Sequence, residues 1–259
     1  MGLVLLMLLP VVVLNGGWQT LTLPSLGALA LSGLVGIFVG DSALFGCMNR
    51  LGPRRSSVLF ATHAFFSVLL GFAVFDERIG LQAVLGGTLV VGGVMMAVAM
   101  GAHKNESHAL EVVRGSWWMG VALGLLAALC QALGSLIAKP VVAAGADPVA
   151  ATLVRVASTC AAHLVLLWSG AAVARAQAPV TRSVVLRVGA SGLVGMGLGM
   201  SLIMLALRHG DVGMVGILSS VSPVLVLPLL WWRLGRAPAA GAWWGAGLTV
   251  AGTVVVLAR

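Results

Sequence analysis

Long apolar runs, each closed by a short break of polar residues, glycine or proline, organise the chain. The runs fall near 26–48, 56–75, 81–101, 117–138, 149–170, 184–207, 212–234 and 241–258. Each approaches or exceeds the about 20 residues that a helix needs to cross hydrocarbon. A shorter apolar piece, 2–14, precedes them. It lacks the basic leader and small-residue cleavage site of a secretory signal peptide, so it belongs with the membrane region. The breaks are brief, as at Asn49-Arg50-Leu51-Gly52-Pro53-Arg54-Arg55 and Asp76-Glu77-Arg78-Ile79-Gly80, which makes successive helices antiparallel neighbours. The pattern predicts an all-α polytopic membrane protein with about eight full transmembrane helices and one partial helix.

The chain also repeats itself. Residues 32–96 lie over 191–255 at a constant offset of 159 without a gap. Ser32-Gly33-Leu34-Val35-Gly36 meets Ser191-Gly192-Leu193-Val194-Gly195 residue for residue, and Gly40, Ser42, Leu59, Gly86 and Gly93 meet Gly199, Ser201, Leu218, Gly245 and Gly252. Five helix-to-helix steps separate a span from its copy, and each step reverses direction. The copies are therefore expected to be inverted, an arrangement typical of secondary transporters. Small residues at Ser32, Gly36 and Gly40, and again at Ser191, Gly195 and Gly199, predict close helix packing in both copies. The register divides the chain into a first repeat at 1–101, a linker at 102–116 and a second repeat of five helices at 117–259. Carried backwards, the same register puts Met1 over Cys160 and the first repeat's opening helix before residue 1. The expectation is a first repeat short of roughly 40 residues at its start.

Composition sharpens this picture. Sixty per cent of residues are hydrophobic and 8% charged, against about 25% charged in a soluble domain. A formal net charge of +8 would suggest nucleic acid in a soluble protein, but the basic residues sit beside span ends, where they meet lipid headgroups. Nucleic acid is thereby excluded as a partner, and the lipid bilayer takes its place. Trp117-Trp118, Trp231-Trp232 and Trp243-Trp244 stand at span ends, as an interfacial aromatic belt requires. Cys47, Cys130 and Cys160 have no metal-ligand spacing and read as small packing residues.

Polar residues inside the spans are the candidates for chemistry. Asp41 is the one acid deep in a span, and a charge there costs roughly 2.5–3.5 kcal/mol, so it should face a cavity or a partner. His63 and Ser67 lie one turn apart on the next span, while Ser219, Ser220 and Ser222 precede Pro223 in the second half. His63 and Ser222 are equivalent in the repeat. Pro223 removes a helical N–H and frees the carbonyl of Ser219, and irregular backbone at this depth is tolerated where it lines a cavity. Gln131 and Ser135 form a further pair one turn apart. The expected substrate site comprises Asp41, His63, Ser67, Gln131, Ser135, Ser219, Ser222 and Pro223. Against it stands the plainer reading in which each serine satisfies its own helix and His63 bridges two helices. Lys139, expected to end its helix before Pro140, and Arg155 are read as snorkelling to the interface, and His163 as a packing contact. No catalytic set, metal cluster or cofactor motif is assembled from these residues.

Taken together, the tandem halves and their motifs resemble the EamA-type permeases of the drug/metabolite transporter superfamily. The resemblance rests on Phe75-Asp76-Glu77-Arg78, Gln82, the glycine-rich run from Gly86 to Val94, the segment Ala127 to Lys139, Arg155 and Ser222-Pro223. Arg236, where an acid might stand, and Ala64, in place of a proline, depart from it. It implies ten helices, a central cavity lined by the first, third and fourth helices of each half, and export or exchange of small organic metabolites, amino-acid-like solutes or drugs. The implied location is a bacterial inner membrane, and a homo-oligomer is compatible with it. A membrane-embedded enzyme acting on a lipid-linked substrate and a non-transporting scaffold are the alternatives. Orientation divides the arguments. The resemblance places the C-terminus in the cytoplasm with Arg78, Lys139, Arg208 and Arg259, whereas the positive-inside rule favours the reverse. A reporter fused after Arg259 and active only in the cytoplasm supports the first arrangement; one active only outside supports the second.

Overall fold

The computed structural model describes residues 1–77, 80–100, 115–170, 181–221, 224–225, 232 and 240–257. Among these no strand occurs. The helices are α1 (Gly2–Leu14), α2 (Leu23–Gly33), α3 (Gly40–Leu51), α4 (Pro53–Ala61), α5 (His63–Phe75), α6 (Leu81–Met100), α7 (Trp117–Ala143), α8 (Pro148–Trp168), α9 (Arg182–Gly192), α10 (Met200–His209), α11 (Val212–Ser219) and α12 (Ala240–Leu257). Two π-helical segments, π1 (Leu34–Val39) and π2 (Leu193–Gly199), join α2 to α3 and α9 to α10. Among the described residues, five stretches are long and apolar enough to cross a membrane: Leu23–Leu51, Arg55–Phe75, Trp117–Ala143, Pro148–Trp168 and Arg182–His209. The expected break before Pro140 does not occur, because α7 carries Pro140 inside it and runs on to Ala143. Neighbouring helices can satisfy the carbonyl that such a proline leaves unbonded.

Two compact units form, and neither coincides with a sequence half. The first contains Met1–Val39 and Leu133–Gly210, the second Gly40–Ala132 and Asp211–Arg259. In the first unit α8 packs against α1, α2, π1 and α10. Its start is set by Asp147, whose carboxylate accepts the N–H groups of Val149 and Ala150 at 3.0 and 2.8 Å, with Pro148 in the first turn. Thr22 and Ser25 cap α2 reciprocally. Val4, Leu8, Ile37 and Val156 form an apolar core between these helices. Helix α1, at 13 residues, reaches about 20 Å.

In the second unit α6 pairs with α12, and α5 with α11. The α6–α12 pair is antiparallel and depends on glycine. A methyl group at Gly93 would lie 2.6 Å from the carbonyl of Gly245, and one at Gly252 2.6 Å from that of Gly86. Gly86 and Gly93 are the counterparts of Gly245 and Gly252, so each copy offers the other the same pair of residues. Val90, Val94 and Ala97 are buried beside this contact. Phe65, Leu69 and Phe72 of α5 are exposed, the outward apolar face that a helix presents to lipid.

Adjacent glycines on α6 provide a test. Gly93→Ala should force the helices apart and cost about 1–3 kcal/mol. Gly92→Ala, with nothing within 4 Å of its added methyl, should be neutral or gain up to about 1 kcal/mol in helix propensity. Unfolding midpoints of the detergent-solubilised protein compare the two.

Candidate functional site

Both halves interrupt their helices at matching positions. The segments π1 and π2 begin at Leu34 and Leu193, which the repeat offset of 159 superposes. A π segment widens one turn and disturbs the regular carbonyl pairing, and such bulges are frequent at functional sites. Hydroxyls answer this locally in different ways. In the first half Thr159 on α8 donates to the carbonyl of Gly33 at 3.0 Å, and Ser158 to that of Ala30 at 3.2 Å. In the second, Ser201 donates to the carbonyl of Gly197 within its own helix at 2.7 Å. The surroundings match as well. The ring of Phe38 meets His163 edge-on at 4.8 Å, while Gly197, the counterpart of Phe38, faces Val4, the counterpart of His163.

The second interruption lies between α4 and α5. The N–H of Thr62 turns back to the carbonyl of Leu59 at 3.2 Å, and that of Val221 to Leu218 at 3.3 Å. Both residues and both acceptors are repeat counterparts. Pro223 accounts for the break after α11 from the sequence alone. The first half has Ala64 at the position after His63, so proline is not the cause there. Instead the Thr62 hydroxyl donates to the same Leu59 carbonyl at 2.6 Å, a local side-chain bond that competes with the regular helix.

Three of the expected polar residues, His63, Ser67 and Ser219, border this break. His63 opens α5, is 5% exposed and lies 5.2 Å from the Phe60 ring between centroids. Ser67, one turn on, is 2% exposed and packs against Gly216 of α11. Ser219 ends α11 and donates to the carbonyl of Gly216 at 3.0 Å; the neighbouring Ser220, buried, donates to Ile217 at 2.7 Å. Asp41 stands half-buried in the first turn of α3, directly after π1. Gln131 is half-buried on α7. Asp41, His63, Ser67, Gln131 and Ser219 thus belong to the second unit, whereas Ser135, buried one turn beyond Gln131, belongs to the first. Ser222 and Pro223 lie outside the described residues. An apolar cavity of about 340 Å³ opens between α5, α6 and α11, lined by Phe65, Val68, Val84, Val91 and Ile217, with Thr88 its one hydroxyl. None of the expected polar residues lines it.

Two basic residues behave differently from the snorkelling expectation. Arg155 is fully buried, and its Nη1 points at the sulfurs of Met200 and Met204, 3.5 and 3.4 Å away. Its position two turns inside α8 leaves the stem too deep to reach an interface once α10 covers it. The Lys139 ammonium donates to the carbonyl of Gly210, just beyond the end of α10, where the negative end of a helix dipole favours a cation. His163 is a packing residue as expected, its Nδ1 2.9 Å from the carbonyl of Thr159. Sequence reasoning overlooked Thr159, which looked like any small membrane-helix residue. Its one legible signal is the spacing of four from Arg155 and from His163, which puts all three on one face of α8. Among the described residues no group of three metal-ligating side chains comes together.

Thr159→Val should cost about 0.5–2 kcal/mol, the range for a hydrogen bond between membrane helices, while Thr159→Ser should stay near the parent. Thermal unfolding in detergent measures both; equal midpoints for the valine and serine variants would remove the hydroxyl from the account of π1.

Comparisons with known proteins bear on the whole chain. The sequence model of the EamA-like transporter family matches residues 1–99 and 118–258. A solved structure described as "Crystal structure of protein" superposes with a TM-score of 0.77 at 19% identity, covering 99% of this chain and 84% of that one. At this identity the likeness concerns the fold. None of the curated proteins matches the chain. With the apolar spans, the interrupted helices and a family match over nearly all its length, the chain is a multi-pass integral membrane protein that belongs to the EamA-like transporter family, within the drug/metabolite transporter superfamily.

Proposed function

We propose that this protein carries small organic metabolites, amino-acid-like solutes or drugs across a membrane by alternating access, and that its two halves, 1–101 and 117–259, are inverted copies joined by the linker at 102–116. The observation that carries this reading is the matched interruption of two helices in each half: π1 with π2, and the turn at Thr62 with the turn at Val221. Broken helices at membrane depth are tolerated where they border a cavity, and transporters bind substrate at such breaks near the plane that relates their repeats. The reciprocal glycine contact of α6 and α12 also supports inversion, because antiparallel counterparts exchange equivalent residues only about a twofold axis perpendicular to them.

The substrate is held by polar groups beside these breaks. His63, Ser67 and Ser219 border the turns at α5 and α11, and Ser222 and Pro223 are the next polar or helix-breaking positions in the sequence. Asp41 follows π1 and supplies the acid for a cation or proton. Gln131 and Ser135 add an amide and a hydroxyl from one face of α7. A serine hydroxyl that donates to its own helix can still accept from a ligand, because its oxygen carries two lone pairs. The bacterial inner membrane is the proposed location, and a homo-oligomer is compatible with the fold.

Counterflow in proteoliposomes with a panel of labelled amino acids, other small metabolites and lipophilic drugs tests the reading. The parent protein should accelerate exchange of at least one solute over empty vesicles. His63→Ala and Gln131→Ala should each slow that exchange about tenfold, the effect of losing 1.4 kcal/mol of interaction, with unfolding midpoints near the parent's. Full exchange in both variants would remove these residues from the site. A panel that never moves, together with turnover of a lipid-linked substrate, would replace the carrier with a membrane enzyme.

A further inference from the structure

The junction between α5 and α11 is held by a carboxylate from outside either helix. Glu77, two residues beyond the end of α5, accepts the N–H of Val212 through Oε1 at 2.8 Å and that of Gly213 through Oε2 at 3.2 Å. These are the first N–H groups of α11, which a helix cannot satisfy internally and where negative charge is favoured. Asp211 holds the capping position, but its side chain makes no capping bond; Glu77 does that work from across the junction. Its own N–H donates to the carbonyl of Gly71 at 3.3 Å. Gly71 leaves the space, since a methyl there would run into the Glu77 carboxylate. Beneath this bond the two helices are in direct contact, Val68 on Gly213 and Ser67 on Gly216.

The repeat register permits a comparison with the other end of the same arrangement. The counterpart of Glu77 is Arg236, which cannot accept a hydrogen bond. The counterpart of Gly71 is Leu230, a larger side chain. That of Val212 is Pro53, which has no N–H to donate. Arg236 has no acceptor to offer and Pro53 no N–H, so the same pair of bonds cannot form between these counterparts. If the halves are inverted, as the proposed function holds, the two ends lie at opposite membrane faces.

We propose that Glu77 is a positioning residue of the transport cycle: a latch that fastens the start of α11 to the end of α5 and keeps the path to Ser67 and Ser219 shut at that face, through a bond that its counterpart Arg236 cannot make. The carrier therefore rests open towards the face opposite Glu77. Substrate reaches its site from the Glu77 face only when Val212 and Gly213 leave the carboxylate. The asymmetry of rest thus comes from Glu77 and the residues that receive it, whose counterparts cannot form the bond, and it rests on the carrier reading above.

Sided labelling tests it. In a protein with Cys47, Cys130 and Cys160 replaced by alanine, Ser219→Cys is labelled with a membrane-impermeant maleimide in right-side-out and inside-out vesicles. With Glu77 intact, labelling should be faster from the face opposite Glu77. Glu77→Gln should raise labelling from the Glu77 face about tenfold, within the span of such couplings, and lower it from the other. Glu77→Asp should fall between. Gly71→Ala, which displaces the carboxylate without removing it, should reproduce the glutamine result, and it keeps the test open if Glu77→Gln does not fold. Unchanged labelling from both faces in Glu77→Gln and Gly71→Ala, whatever happens to the unfolding midpoint, would reduce Glu77 to a helix cap and overturn the latch. Counterflow measured on protein that keeps Ser219, with and without Glu77→Gln, reports the carrier reading separately, because sided labelling needs no substrate.

Discussion

A peptide group inside hydrocarbon has no water to bond with, so each N–H and carbonyl must find a partner in the protein. That requirement explains why the described residues are largely helical and why several departures from regular helix bring a side chain with them. The widened turn at π1 is served by Thr159 and Ser158 from α8. The turn at Thr62 is served by its own hydroxyl, and π2 by Ser201. Breaks are thus not loose places in this protein. They are positions where the backbone exchanges its regular partner for a hydroxyl, and where polar residues become affordable close to the middle of the chain's spans.

Helix packing follows from a second consequence of the same solvent. Lipid tails give apolar side chains little reason to leave them, so helices associate through close van der Waals contact and weak interhelical bonds. Gly86 and Gly93 against Gly252 and Gly245 bring α6 and α12 together at backbone distance. Helix α8 uses Thr159 and the backbone beside Arg155 against Gly33 in the same manner. The partners in these pairs come from different halves of the sequence. The compact units are therefore assembled from pieces of both halves of the sequence.

Charged residues divide by depth and by helix end. Arg155 is held within the first unit against methionine sulfurs, which are weak, polarisable acceptors. Lys139 and Glu77 serve opposite helix ends, the cation at the carbonyl just past the end of α10 and the carboxylate on the first N–H groups of α11. In each case the sign matches the local dipole. Such contacts let a membrane protein keep ionised groups near its spans without exposing them to hydrocarbon.

Much of the architecture was legible in the residues. Apolar runs about as long as the bilayer is thick determine helices and their approximate ends, because hydrocarbon admits little else, and the offset of 159 determines which helices are counterparts. The break after α11 could also be read, since Pro223 lacks an N–H. The break at Thr62 could not, because threonine competes with the helix only when its hydroxyl actually turns onto Leu59, and most threonines in membrane helices do not disturb them. The π segments were equally hidden behind an ordinary small-residue stripe, as were the burial of Arg155 and the reach of Glu77 to Val212 across 135 residues of chain. Spans depend on local composition and on the solvent, which one stretch of sequence carries with it. Hydrogen bonds between distant helices depend on which faces meet, and only the tertiary structure decides that.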